Sequence, residues 1–250
     1  MFENIKILYH QGKQYIPDVT RVEIPGIFRG RPVITSEPAD EGVLKDLCPT
    51  NAISTPPFSI DLGKCTFCGE CAKIFPQKIQ FTKDYKISSN VRDRLIIREG
   101  ENSFIEVNPV TVRREIRSFF SGSLKLRQVS AGGDASCELE LGACGNVNFD
   151  MGRFGIEFVA SPRHADGLVI TGPITVNMAD ALQVTYDAIP TPKIIILAGT
   201  DAISGGIFAG SPAINRSFLD RYTPDLYVPG NPVHPLTFIN GILSLIRKVK

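Results

Sequence analysis

The spacing of hydrophobic positions changes several times along this chain, and each change marks a different kind of element. Near the start, Phe2, Ile5, Leu8 and Tyr9 recur at helical spacing. A Pro-punctuated segment ending in Ile24-Pro25-Gly26 follows, so residues 1–30 read as a short amphipathic docking helix and an extended arm. The arm has too few apolar residues for a core of its own. It should lie on another surface, either this chain's or a partner's. Residues 31–100 are turn-rich, with brief strands expected at 53–60 and 78–85. In the linker, 101–123, Val112, Ile116, Phe119 and Phe120 share a helical face that Ser121-Gly122-Ser123 terminates.

From residue 124 the texture becomes α/β. Short apolar runs at 124–129, 156–160, 167–171, 194–198 and 225–228 are bounded by Gly, Pro or Asp. Helical patterns at 177–188 and 236–248 alternate with them. This predicts a mainly parallel sheet covered on both faces over 124–250. Ligands in such folds collect at the carboxyl ends of the strands, where the loops 131–137, 199–206 and 229–231 should meet.

Composition narrows the picture. The 250 residues are 43% hydrophobic and 21% charged, enough for a substantial core. Lys and Arg total 27 against 26 acids, so no basic excess points to nucleic acid. No segment reads as a signal peptide, and no apolar run approaches the ~18–20 residues of a membrane span. The most apolar stretch, 236–246, is broken by Asn240-Gly241. Any contact with a membrane would run through partners.

Three of the six cysteines fall within seven residues, as Cys65-Thr66-Phe67-Cys68-Gly69-Glu70-Cys71. In a long chain with no export signal, that crowding favours a metal site over disulfides. Thiolates two residues apart can wrap one face of an iron–sulfur cubane. A remote Cys followed by Pro supplies the usual fourth ligand, and Cys48-Pro49 fits. Zinc is the main competitor, although a remote Cys-Pro is not its usual partner spacing. Core packing is the blander alternative for a cysteine and suits Cys144. His164 and His234 have no ligand spacing and read as hydrogen-bonded surface residues. Gly132-Gly133 and Gly205-Gly206 match no phosphate-binding pattern.

The cysteine segment resembles two-cluster ferredoxins, with a departure. Phe75 stands before Pro76 where that family has a cysteine, and Pro38, Glu41 and Leu44 occupy the other three places. The resemblance therefore implies an α+β ferredoxin-like domain over 31–100 with one 4Fe-4S cluster on Cys48, Cys65, Cys68 and Cys71.

Residues 124–250 resemble the small subunit of membrane-bound NiFe hydrogenases and formate hydrogenlyase, and its counterpart in respiratory complex I (NADH-quinone oxidoreductase). The matching stretches are Arg153-Phe154-Gly155-Ile156, the segment from Ala160 to Asp166, Ile170-Thr171-Gly172, Ile203-Ser204-Gly205-Gly206 and Tyr227-Val228-Pro229-Gly230. Phe28-Arg29-Gly30-Arg31-Pro32 likewise resembles the lead-in of the ferredoxin subunit of those complexes. The chain reads as the two subunits fused.

The resemblance implies a flavodoxin-like domain docked on a large catalytic-type subunit, with membrane subunits beyond. It also implies a second 4Fe-4S cluster held by four cysteines at the strand-end loops. Here only Cys137 remains, with Asp134 or Ser136 at the other position of the first loop and Asp201 and Asn231 at the last two, so a second cluster is not expected. A site for another metal on Cys137, Asp201 and Cys144 is the alternative to a repacked loop. The repacked loop would need amide donors for Asp201 and Asn231. Glu140 matches a family glutamate tied to proton movement, though a carboxylate in a first helical turn is also ordinary dipole compensation.

Two functions follow as expectations. One is an electron-transfer subunit, not an enzyme alone, on the cytoplasmic face of a membrane complex. The other is a structural or assembly subunit whose relay is interrupted.

Overall fold

A computed structural model describes residues 2–12, 14–101 and 103–247. Helix α1 (Phe2–Gln11) forms where the spacing predicts it, but none of its residues is buried. Phe2 and Tyr9 are 82% and 85% exposed, so the helix does not pack on its own chain. The arm behaves differently. Val19 and Ile24 are buried in the same cluster as Leu124 and Leu126. The Tyr85 hydroxyl donates to the Val19 carbonyl at 2.7 Å, which pins the arm across the body.

The next segment holds β1 (Pro32–Ile34), α2 (Glu41–Leu47), β2 (Ile53–Ser54), β3 (Ser59–Asp61), α3 (Glu70–Ile74), β4 (Ile79–Phe81), β5 (Ile96–Arg98) and α4 (Arg114–Phe119). β1 pairs antiparallel with β4, and β3 lies antiparallel between β2 and β5. The strand expected over 53–60 is instead a hairpin. Pro56 and Pro57 cannot donate to a ladder and fall at its turn. The strand expected over 78–85 shortens to β4. In α4, Ile116 and Phe120 are buried while Phe119 is 66% exposed, a narrower face than expected.

Five parallel strands build the second half: β6 (Leu124–Ser130), β7 (Ile156–Phe158), β8 (Gly167–Thr171), β9 (Ile194–Ala198) and β10 (Leu226–Val228). Their order is β10-β9-β8-β6-β7, and every pairing is parallel. Counted within this half, that is the 2-1-3-4-5 order of flavodoxin-like sheets. β8 and β9 are buried at every residue, which explains their unbroken apolar runs. The helices are α5 (Ser136–Ala143), α6 (Val176–Ala188), α7 (Thr200–Ser204), α8 (Ser217–Arg221) and α9 (Pro235–Ile246). The expected end of α9 at residue 248 lies outside the described residues.

The two halves share their interior. Leu44, Ile60 and Leu95 belong to one buried cluster with Leu168, Ile170 and Ile203. Ser89 also bridges the outer edge of β10, exchanging amide hydrogen bonds with Tyr227 at 2.8 and 3.1 Å. That exchange blunts an otherwise open sheet edge.

Candidate metal centre

Four cysteines from two separate segments line one hollow. Cys48 caps the C-terminal end of α2, Cys65 and Cys68 sit on the loop before α3, and Cys71 lies within α3. All four face a pocket walled by Leu47, Ala52, Ile53, Ile60 and Phe81. Cys65 is 8% exposed, Cys48 and Cys71 are half-buried, and Cys68 is open to solvent.

The loop is built to hold sulfur. The Ala52 amide donates to Cys48 Sγ at 3.2 Å, and the Phe67 amide donates to Cys65 Sγ at 3.3 Å. Such donors stabilise thiolate over thiol. Phe67 and Gly69 both have left-handed backbones, at φ 55° and 79°. For Phe67 that is a sparsely populated conformation, tolerated only where the surroundings hold it. The base of the loop is clamped by Asp61. Its carboxylate accepts the Gly63 amide at 2.8 Å and a two-point contact from Arg92 at 2.8 and 2.7 Å.

Without a positive partner Cys65 and Cys71 resist ionisation. Burial pushes Cys65 up to about 12, and the neighbouring Cys71, Cys48 and Cys68 add to the shift. Burial also pushes Cys71 up to about 11, with Cys68 contributing. Cys65 and Cys71 are therefore costly to charge in this hollow unless a cation compensates them. Among the described residues, no group of three His, Cys, Asp or Glu side chains converges as a single ion requires. A mononuclear zinc draws its sulfurs to ~2.3 Å from one centre. A cubane takes one thiolate per iron and so accepts sulfurs spaced around a rim. Four cysteines around one hollow are a donor set of the kind a 4Fe-4S cluster would use, one thiolate per iron.

The strand-end loops of the second half are arranged differently. Asp134 is exposed, and its Oδ1 accepts the Ser136 amide at 2.9 Å and the Ser136 hydroxyl at 2.6 Å, which hold its carboxyl below the usual range. Cys137 is 9% exposed at the first turn of α5. Burial pushes its thiol up to about 12, against a hydrogen bond from the Val233 amide. Its Sγ lies against Gly199, where an added Cβ would come within 2.6 Å.

Asp201 is half-buried, and its Oδ1 has no hydrogen-bond partner among the described residues. Burial raises its carboxyl, and the charge of Asp134 adds to that. The expectation that loop amides would seal Asp201 is therefore not met. Asn231 faces a 160 Å³ cavity beside Arg29, Phe67 and His234. The alternative metal site also lacks geometry: Cys144 is fully buried in the core and donates to the Glu140 carbonyl at 3.6 Å. Glu138 accepts the Thr171 hydroxyl at 2.6 Å.

Two residues of this region carry roles that the sequence hides. Thr200, immediately before Asp201, donates its hydroxyl to the Cys65 carbonyl at 2.8 Å. The cysteine loop therefore rests directly on the β9–α7 turn. His234 is no surface residue: it caps α9, accepts the Leu236 amide at 3.2 Å, and burial lowers its pKa to about 4.

Comparison with known proteins bears on the second half. Residues 135–245 match the family described as NADH ubiquinone oxidoreductase, 20 Kd subunit. The chain is 35% identical over 136 residues to the probable membrane-bound hydrogenase subunit mbhJ of Pyrococcus furiosus, covering 54% of this chain and 81% of that protein. It is 44% identical over 120 residues to an NADH-quinone oxidoreductase subunit of Heliobacterium modesticaldum, covering 47% of this chain and 68% of that protein. A solved chain of the membrane-bound sulfane sulfur reductase, an archaeal respiratory membrane complex, aligns at 30% identity and a TM-score of 0.44, covering 50% of this chain and 70% of that one.

Proposed function

This chain belongs to the family of the NADH ubiquinone oxidoreductase 20 kDa subunit, and on that premise we propose that it is the electron-transfer subunit of a hydrogenase- or complex I-like membrane assembly. The observation that carries the reading is the convergence of Cys48, Cys65, Cys68 and Cys71 on one hollow from two distant segments. They would hold one 4Fe-4S cluster, which supplies a one-electron redox couple. The protein's part is to fix the thiolates, to donate amides from Ala52 and Phe67, and to exclude water with the apolar wall.

Residues 31–100 act in this reading as a ferredoxin-like domain joined to the 124–250 domain through the 101–123 linker. The second domain docks a large catalytic-type subunit, and Asp134, Asp201 and Asn231 mark the lost second cluster. Among the described residues no helix is long and apolar enough to cross a membrane, so attachment at the cytoplasmic face would run through membrane subunits. The chain is not a catalyst alone.

One observation favours a second reading, a structural subunit with an interrupted relay. Asp201 and Asn231 stand where thiolates would be needed, and neither is a soft donor for iron. Iron and sulfide counts with an EPR spectrum of the anaerobically purified, reduced chain test the first reading. About four irons and one S = 1/2 signal without spin coupling are expected. Background iron, or a coupled two-cluster spectrum, sinks it. Rapid reduction of that cluster within the assembled complex would then exclude the structural reading.

A further inference from the structure

α9 is mainly apolar and almost wholly buried; Asn240-Gly241 and Ser244 interrupt its second half, and these interruptions have separate causes. Gly241 is required by packing, because a Cβ there would come within 2.6 Å of Ser88 Oγ. Asn240 has no such explanation. It is 8% exposed, yet its side-chain amide makes no hydrogen bond with any described residue. It lines a cavity of about 620 Å³ between α9, the linker segment 105–109 and Lys86-Ser88. That volume lies in the range of small-molecule sites. Its amide opens onto this cavity and so offers both a donor and an acceptor to whatever fills it.

The walls indicate what that occupant is. Ser244 follows Asn240 by one helical turn and lines the same cavity, and its hydroxyl also has no partner among the described residues. Arg117 closes this end, tied through Nε to the Leu245 carbonyl at 3.5 Å, which leaves the rest of its guanidinium for a ligand. Ile105, Val107 and Leu243 form an apolar side. Lys86 and Glu106 are exposed at the mouth and offset each other in charge. None of these residues lines the cysteine hollow.

We propose that this cavity binds a carboxylate-headed amphiphile. Its head accepts hydrogen bonds from Asn240, Ser244 and the Arg117 guanidinium, and its apolar body lies against Ile105, Val107 and Leu243. Arg suits a planar carboxylate because it offers paired donors. The site stands independently of the iron–sulfur reading.

The test is calorimetric titration of the full, iron-loaded chain with decanoate below its micellar concentration, and with decan-1-ol as the uncharged control. One saturable decanoate site is expected, with decan-1-ol weaker by about tenfold or more. Asn240→Leu should weaken decanoate by about tenfold while leaving iron content unchanged. Arg117→Gln should narrow the gap between acid and alcohol. If Asn240→Leu does not fold, Val107→Trp fills the cavity from its other wall and should abolish binding. No saturable decanoate binding, an unchanged affinity in Asn240→Leu, or equal affinity for acid and alcohol would each overturn the proposal.

Discussion

The cysteine hollow and the strand-end loops sit on opposite sides of one hydrogen bond, from Thr200 to the Cys65 carbonyl, yet they treat their polar groups in opposite ways. In the hollow, amides of Ala52 and Phe67 point at sulfur and Asp61 is clamped by Arg92. In the strand-end loops one amide, that of Val233, also reaches a sulfur, but Cys137 is alone there and pressed on Gly199. Asp134 accepts from Ser136, and Asp201 keeps an oxygen without a partner among the described residues. The difference therefore lies in how many donors converge. Four thiols share the first hollow, and the second region has one thiol beside two carboxylates and an amide.

The sharpest way to break this contrast is to remove one thiol from the first region. Cys68→Ala is expected to reduce iron from about four per chain to background and to loosen residues 31–100, since cluster binding is coupled to folding in so small a unit. Iron analysis and limited proteolysis of the variant read both effects. Retained iron would mean that the ligands lie elsewhere.

A reciprocal change tests the second region. Asp134→Cys, Asp201→Cys and Asn231→Cys together restore the thiols that the family resemblance implies beside Cys137. Anaerobic reconstitution is expected to raise iron to about eight per chain. A folded triple variant with unchanged iron would show that the loops have moved too far from a ligating arrangement.

The sequence showed some of this clearly and some of it hardly at all. The runs at 167–171 and 194–198 coincide with β8 and β9 because a strand buried on both faces has nowhere to place polar residues. The cysteine spacing was legible as far as geometry goes, since Cys48, Cys65, Cys68 and Cys71 line one hollow. By contrast α5, α7 and α8 are 8, 5 and 5 residues long, too short for a helical period to stand out. Thr200 and His234 escaped because a threonine after a strand and a histidine before a proline have many ordinary uses. Their importance comes from partners 135 and 2 positions away. The hydrogen-bonded seal expected at Asp201 failed for a related reason: sequence shows that a polar group is present, and only geometry shows whether a donor reaches it.

Thr200 lies on the boundary between the regions. Thr200→Val keeps its shape but leaves the Cys65 carbonyl without that donor, which should cost about 1–2 kcal/mol. Denaturant unfolding of the iron-loaded variant measures the loss. Iron content should stay at the parent level, because no thiolate is touched. A larger loss accompanied by iron release would mean that the β9–α7 turn positions the cysteine loop and does more than cover it.

The smallest expected effect is the most diagnostic for Asp201. Its carboxyl is raised above its ordinary value of 3.8, with burial as the main cause and Asp134 adding to it. A raised acid stabilises the fold below its unfolded pKa, and that contribution is lost as pH rises through the folded value. At neutral pH the parent therefore carries a half-buried charge with an unpaired oxygen. Asp201→Asn removes that charge and should unfold at a slightly higher temperature than the parent at pH 7. The advantage should shrink as pH falls into the acid range, because the raised carboxyl of the parent takes up a proton before an ordinary one would. Partial exposure lets solvent screen the group, so the gain is a small shift in Tm. Thermal unfolding of both proteins across that pH range gives the answer. If Asp201→Asn is instead less stable at every pH, Asp201 has a partner that geometry does not reveal, and the strand-end site is not vacant.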